Sequence, residues 1–97
     1  MTITTNGAKG IEASSSNNIQ IFGMVVQNNT SDGVKLTTNA DRLALHNLAC
    51  NTNGGYGINI ANVNCDSNTI SSCFFSGNVS GTVNNSGTST INVNGQV

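Results

Sequence analysis

Apolar side chains recur along this chain in one phrase: apolar, any, apolar, any, any, apolar, any, apolar. Ile19, Ile21, Met24 and Val26 fill it first, and Leu43, Leu45, Leu48 and Cys50 fill it again. Asn68, Ile70, Cys73 and Phe75 make a third copy, with a polar residue at its head. A step of two is how a strand buries alternate side chains on one face. The step of three between the pairs requires a bend that restores the inward direction. Each phrase therefore predicts two short strands meeting at a corner. A second phrase lies between the copies of the first. Gly10-Ile11-Glu12-Ala13, Gly33-Val34-Lys35-Leu36 and Gly57-Ile58-Asn59-Ile60 each set a glycine before an alternating pair, and Gly81-Thr82-Val83-Asn84 is a degraded copy. The glycines are 23, 24 and 24 residues apart. Self-similarity at such a period means stacked copies of one supersecondary unit. The unit is three short strands separated by Asn/Ser/Gly corners.

Stacking these units places inward side chains over their counterparts at the parallel-strand spacing of about 4.8 Å. One expected column holds Ile11, Val34 and Ile58, beside Ala13, Leu36 and Ile60. A second holds Ile19, Leu43 and Asn68, beside Ile21, Leu45, Ile70 and Val93. A third holds Met1, Met24, Leu48 and Cys73, beside Ile3, Val26, Cys50 and Phe75. Ile91 and Val93 match Ile19 and Ile21, and residues 1 to 5 look like a strand torn from a preceding coil. Asn68 breaks an apolar column, so it needs hydrogen-bond partners if it points inward. Asn29 and Asn53 lie four residues before the glycine that opens the next phrase, Gly33 and Gly57, and Asn78 lies three before Gly81. Amides repeated at one corner can bond to backbone or to each other in a ladder, and Asn there also suits left-handed backbone. Glu12 and Lys35 should face solvent one level apart and form an ion pair.

Composition narrows the field. Asn, Ser and Thr fill 40 of the 97 positions, while charged residues make up 7% and proline is absent. Those residues are poor in helix interiors, which argues against a helical fold. Polar low-complexity chains often stay disordered, but the spaced apolar residues argue for folding here. Three basic and four acidic residues give a net charge of −1, with no basic footprint for nucleic acid. No apolar run has the length of a membrane-spanning helix, and residues 1 to 20 lack a signal-peptide profile. A secretion signal, if the native protein carries one, is expected outside this chain. Cys50, Cys65 and Cys73 form no C-x-x-C pair, so neither a disulfide framework nor a zinc site is encoded.

The two phrases and their common repeat length resemble right-handed parallel β-helix proteins, the pectate-lyase-like group that includes polysaccharide lyases, epimerases and phage tailspikes. The resemblance covers nearly the whole chain. With the strong rule for parallel crossovers, it implies an all-β, right-handed, single-stranded parallel β-helix of about four coils, three short strands per coil. The whole of 1–97 is expected to be one such domain, a fragment or end portion of a longer stack. The resemblance further implies an extracellular or virion-surface setting and polysaccharide as a partner.

Candidate chemistry is sparse. Asp41 and Asp66 each precede the second strand by two residues, so they should stack on one corner with Arg42 and His46 close by. Two carboxylates roughly 5 Å apart can share a proton, bind calcium, or flank a glycosidic bond. The plainer account is two turn-forming aspartates at equivalent corners. His46 follows the inward Leu45, at a position matched by Phe22 and Ser71, a set that does not suggest metal ligands. The paired aspartates and Gly-His-Gly segment of pectinolytic hydrolases are absent, as is a clear match to the acidic cluster of calcium-dependent lyases. Phe22, Tyr56 and Phe74 are candidate sugar-stacking residues, since aromatic faces pack against pyranose rings. Tyr56 sits among Gly54, Gly55 and Gly57, in a corner that can protrude. The three cysteines read as buried hydrophobes, with no basic neighbour to activate a thiol. Four Asn-x-Ser/Thr triplets begin at Asn28, Asn29, Asn78 and Asn84, and chance accounts for them in so Asn-rich a chain.

These observations favour a non-catalytic β-helix module, a carbohydrate-associated binding or scaffold part of a tailspike-like or cell-surface protein, with no cofactor or metal. Two alternatives stand beside it. One is a self-associating rod that stacks through its open ends. The other is a polysaccharide lyase or glycoside hydrolase using the Asp41/Asp66 corner.

Overall fold

The computed structural model describes the backbone of residues 2–4 and 7–92, with side chains from residue 7 onward. Among the described residues twelve strands follow one another in four rungs of three. The first rung is β1 (Thr2–Thr4), β2 (Ile11–Ser14) and β3 (Gln20–Phe22). The second is β4 (Val25–Gln27), β5 (Val34–Thr37) and β6 (Ala44–His46). The third is β7 (Ala49–Asn51), β8 (Tyr56–Ile60) and β9 (Thr69–Ser71). The fourth is β10 (Phe74–Ser76), β11 (Gly81–Asn85) and β12 (Ile91–Asn92). Every pairing is parallel and joins a strand to its counterpart one rung away, giving the sheets β1-β4-β7-β10, β2-β5-β8-β11 and β3-β6-β9-β12. The chain is a β-solenoid of about three turns, without helix among the described residues. Three turns separate four rungs, so the expected count of about four coils is a count of rungs.

The expected inward columns form the core. Val34, Leu36, Leu45, Leu48, Ile58, Ile60 and Ile70 are fully buried, with Val26, Leu43 and Cys50 alongside them. Asn68 does point inward, and it has the partners it needs. Its Oδ1 accepts the Leu43 N–H at 2.8 Å, and its Nδ2 donates to the Ala40 carbonyl at 2.9 Å. The amide thus ties its own rung to backbone one rung below. Met1, Val93 and the Ile3 side chain lie outside the described residues, although β1 pairs Ile3 with Val26 as the pattern required.

Two registers differ from the sequence expectation. Gly81 was expected above Gly57, but it lies opposite Tyr56, and Val83 lies opposite Ile58. This one-residue slip buries Val83 in place of Thr82. Because side chains alternate, a shift of one moves the whole strand to its other face, and burial of the apolar residue decides between them. Gly81 has a φ of 135°, a conformation that side-chain-bearing residues rarely adopt. Ile91 was expected above Asn68, but it pairs with Thr69 and Asn92 pairs with Ile70. Ile91 therefore faces outward and is half exposed. The Asp66–Thr88 bridge carries the same register, because each bridge residue lies three positions before the start of its strand.

Three columns of corner residues obey one rule, whereas at the corner after β2 Ser15 donates its N–H to the Thr38 carbonyl itself. Left-handed residues stack in columns: Asn18, Arg42, Ser67 and Ser89; Gly23, Asn47 and Ser72; Asn28, Thr52 and Gly77. In each column the left-handed residue donates its N–H to the carbonyl just before its counterpart one rung on. Arg42 N bonds to Asp66 O, Asn47 N to Ser71 O, and Thr52 N to Ser76 O, at 2.9, 3.1 and 2.7 Å. Left-handed backbone costs a non-glycine residue about 1–2 kcal/mol, which these inter-rung bonds help to offset.

Candidate functional site

The Asn corner is the most developed polar feature. Asn29 Nδ2 donates to Asn53 Oδ1 at 3.0 Å, and Asn53 Nδ2 donates to Asn78 Oδ1 at 2.9 Å. The same oxygens accept the backbone N–H groups of Asn29 and Asn53, at 3.2 and 3.0 Å. Asn53 and Asn78 each send a further N–H to a carbonyl one rung below, those of Val26 and Cys50. The expected ladder is present. The left-handed conformation falls one residue earlier, on Asn28, Thr52 and Gly77, because that residue turns the chain and the next points its amide inward.

Asp41 and Asp66 stack on one corner, as their spacing required. Asp41 Oδ1 accepts the Asp66 backbone N–H at 2.8 Å, and Asp66 Oδ1 accepts the Ser67 hydroxyl at 2.9 Å. The lower carboxylate thus holds the corner above it. Arg42 does not neutralise the pair. Its Nε donates to Asn18 Oδ1 at 3.1 Å, one rung down. Among the described residues, no three His, Cys, Asp or Glu side chains group as a metal site would require.

His46 lies outward between Phe22 and Ser71, its register partners on either side. Its ring meets that of Phe22 edge to face at 5.3 Å, and its Nδ1 is 2.6 Å from Ser71 Oγ. The three aromatic candidates do not converge. Phe22 is on β3 and Phe74 on β10, both more than half exposed, while Tyr56 opens β8 and is half-buried. Each belongs to a different sheet, so no common aromatic platform forms. Tyr56 does not protrude from a corner as expected. Its backbone N–H is held by Asp32 Oδ1 at 2.8 Å, which draws it into the strand.

Asp32 is the polar residue that sequence reasoning missed. It is buried, and its second oxygen accepts Asn59 Nδ2 at 3.0 Å. The available signal was the Gly54-Gly55 pair one rung above. A Cβ on Gly55 would lie 2.3 Å from Asp32 Oδ1, so only glycine leaves room for that carboxylate. The charges at Glu12 and Lys35 are register partners, but the ion pair forms between Lys9 and Glu12 at 3.6 Å. Lys9, at the open corner three residues back, reaches the same carboxylate.

Cys50, Cys65 and Cys73 are free thiols in the core. Burial pushes the Cys50 thiol up to about 12, with Cys73 adding to the effect. Burial also raises Cys73, against backbone hydrogen bonds that favour its ionised form. Neither is poised as a nucleophile, since the thiolate is the reactive form. No cleft opens among the described residues. Comparisons of the chain with family models, with curated proteins and with solved structures find no match.

Proposed function

We propose that this chain is a non-catalytic β-solenoid scaffold that presents carbohydrate-binding side chains on its outer faces, in the manner of tailspike-like or cell-surface proteins. The observation that carries the non-catalytic half is the bond from the Asp66 N–H to Asp41 Oδ1 at 2.8 Å. The carboxylate best placed for acid–base chemistry is engaged in holding one rung on the next. Support for the carbohydrate half comes from Phe22, 53% exposed and propped by His46 on a face whose neighbouring outward positions are Gln20, Ala44 and Thr69. A sugar ring can lie on that ring while Gln20, two positions back on the same strand, offers hydrogen bonds to its hydroxyls. An extracellular or virion-surface setting accords with this reading.

The test is an array of acidic and neutral polysaccharides offered to the purified chain. Binding should weaken on Phe22→Ala and persist in Asp41→Asn combined with Asp66→Asn. Release of oligosaccharide that either aspartate substitution abolishes would establish the enzyme reading instead. Absence of binding to every glycan offered would leave a scaffold without the carbohydrate role.

A further inference from the structure

The Asn corner brings together one chemically labile pair of residues. Asn53 is required for its amide, which bonds to the Asn29 backbone and side-chain N–H groups, to Val26 O and to Asn78 Oδ1. The residue after it is Gly54, and stacking requires that too. A Cβ on Gly54 would collide with the Thr30 carbonyl one rung below, and the Gly54 N–H donates to Asn29 O at 2.8 Å. Asparagine is among the thermolabile residues, and it loses its amide most readily before glycine, which has no side chain to hinder ring closure by the next backbone nitrogen. The ladder selects the asparagine and the rung below selects the glycine. Together they write the labile pair.

The reaction is an attack of the Gly54 nitrogen on Asn53 Cγ. That nitrogen gives its proton to a solvent base, the new N–Cγ bond closes a succinimide ring, and the Cγ–Nδ2 bond breaks with the amide nitrogen leaving as ammonia. Water then opens the ring at either carbonyl, giving aspartate or isoaspartate. In the stacked corner each participant is occupied. The Gly54 N–H is held by Asn29 O, and the Asn53 side chain is fully buried with its amide fixed by four hydrogen bonds. Cγ reaches the nitrogen only by rotating out of the ladder. The products do not fit the place they leave. Aspartate would turn an oxygen toward Val26 O and Asn78 Oδ1, both acceptors, and isoaspartate would add a methylene to the backbone of the corner.

We propose that Asn53 is a deamidation site gated by the fold: closed while the Asn corner is stacked, reactive whenever it opens, and irreversible in effect because neither product re-enters the ladder. The lifetime of the folded chain is then set by the fraction of time that this corner spends open. The inference goes beyond the carbohydrate reading, and its test involves no glycan.

The test compares folded chain with chain held in concentrated urea, in the same mildly alkaline buffer. Fragment mapping by mass spectrometry follows the amide-to-acid conversion at Asn53, and enzymatic methylation marks isoaspartate. Conversion should be at least about a hundredfold slower in the folded chain, since only the open fraction reacts. Samples withdrawn from urea are then diluted to refold. The refoldable fraction, read by circular dichroism, should decay at the rate of Asn53 conversion, and refolded molecules should carry intact Asn53. In mildly acidic urea, where the Gly54 nitrogen keeps its proton, both losses should slow together. An aged folded sample gives a second readout that needs no refolding: protease-resistant chain should retain Asn53, and protease-sensitive chain should be enriched in the products. Equal conversion rates in folded and unfolded chain would overturn the proposal. So would products at this position in refolded or protease-resistant molecules at the level of the whole sample, or a loss of refolding that tracks Asn6 or Asn94, which also precede glycine, instead of Asn53.

Discussion

Asn53 is the residue on which the Asn corner turns, and Asn53→Ala is the most direct test of how the stack is held. The side chain is fully buried and makes four hydrogen bonds. Its oxygen serves the backbone and side-chain N–H groups of Asn29, and its Nδ2 serves Val26 O and Asn78 Oδ1. Truncation removes all four bonds and leaves no room for bulk water to replace them fully. At about 1 kcal/mol per neutral bond, plus a desolvation cost of about 1–3 kcal/mol where a buried group loses its partner, the loss is about 3–6 kcal/mol. That is a large share of the roughly 5–15 kcal/mol that stabilises a small protein. In urea, with a slope of about 1–3 kcal/mol per molar, the midpoint should fall by about 2 M. Circular dichroism against urea reads it, with Asn51→Ala, two residues away and outward, as control. Asn53→Asp sharpens the test. The introduced carboxyl keeps the acceptor but turns its second oxygen toward Val26 O and Asn78 Oδ1, both acceptors. Burial and those oxygens raise its folded pKa above the unfolded value of about 3.9, so its protonated form is the one that fits. Stability should therefore be highest below about pH 4 and fall as pH rises through the raised folded pKa. Equal midpoints for Asn53→Ala and Asn51→Ala, or an Asn53→Asp variant indifferent to pH, would refute the ladder as a source of stability.

Further outcomes follow from the same geometry. Leu45→Ala should cost about 2–5 kcal/mol in the same unfolding assay, while Ala44→Ser, one residue away and outward, should be nearly neutral. Val83→Ala should destabilise clearly more than Thr82→Ala; the reverse order would mean that the fourth rung keeps the register of its glycine. Cys50 should resist iodoacetamide at neutral pH in the folded chain and react after unfolding, as mass spectrometry would report. Because burial raises this thiol from 9.0 to about 12, its contribution to stability is complete below 9 and is lost as pH rises toward 12. An unfolding midpoint that rises over that alkaline range would contradict the burial.

The rung itself was legible in the chain before any coordinates. The step of two at Leu43–Leu45 and Leu48–Cys50, with a step of three between, admits strands that share one interior and a bend that joins them. Repetition at a near-constant period then forces the parallel stack, since each unit alone leaves its apolar face uncovered. The inward columns, the Asn29–Asn53–Asn78 ladder and the stacking of Asp41 under Asp66 all followed from position in the repeat. Local pattern misled where it was weakest. Gly81 carried the glycine spacing, yet the alternation beyond it held a single strong apolar residue, Val83, and burial of that side chain moved the strand by one. The discordant interval from Asn78 to Gly81 was the visible trace of that slip. Other features belong to tertiary structure alone. The direction of a side chain within a corner depends on the rung above, so neither the choice of Lys9 over Lys35 as partner for Glu12 nor the reach of Arg42 to Asn18 has a signature in sequence. The same holds for Asp32, whose carboxylate is buried because the next rung brings an N–H, an amide and a glycine gap to it. Sequence period determined which residues lie over which, and packing between rungs decided what each polar group binds.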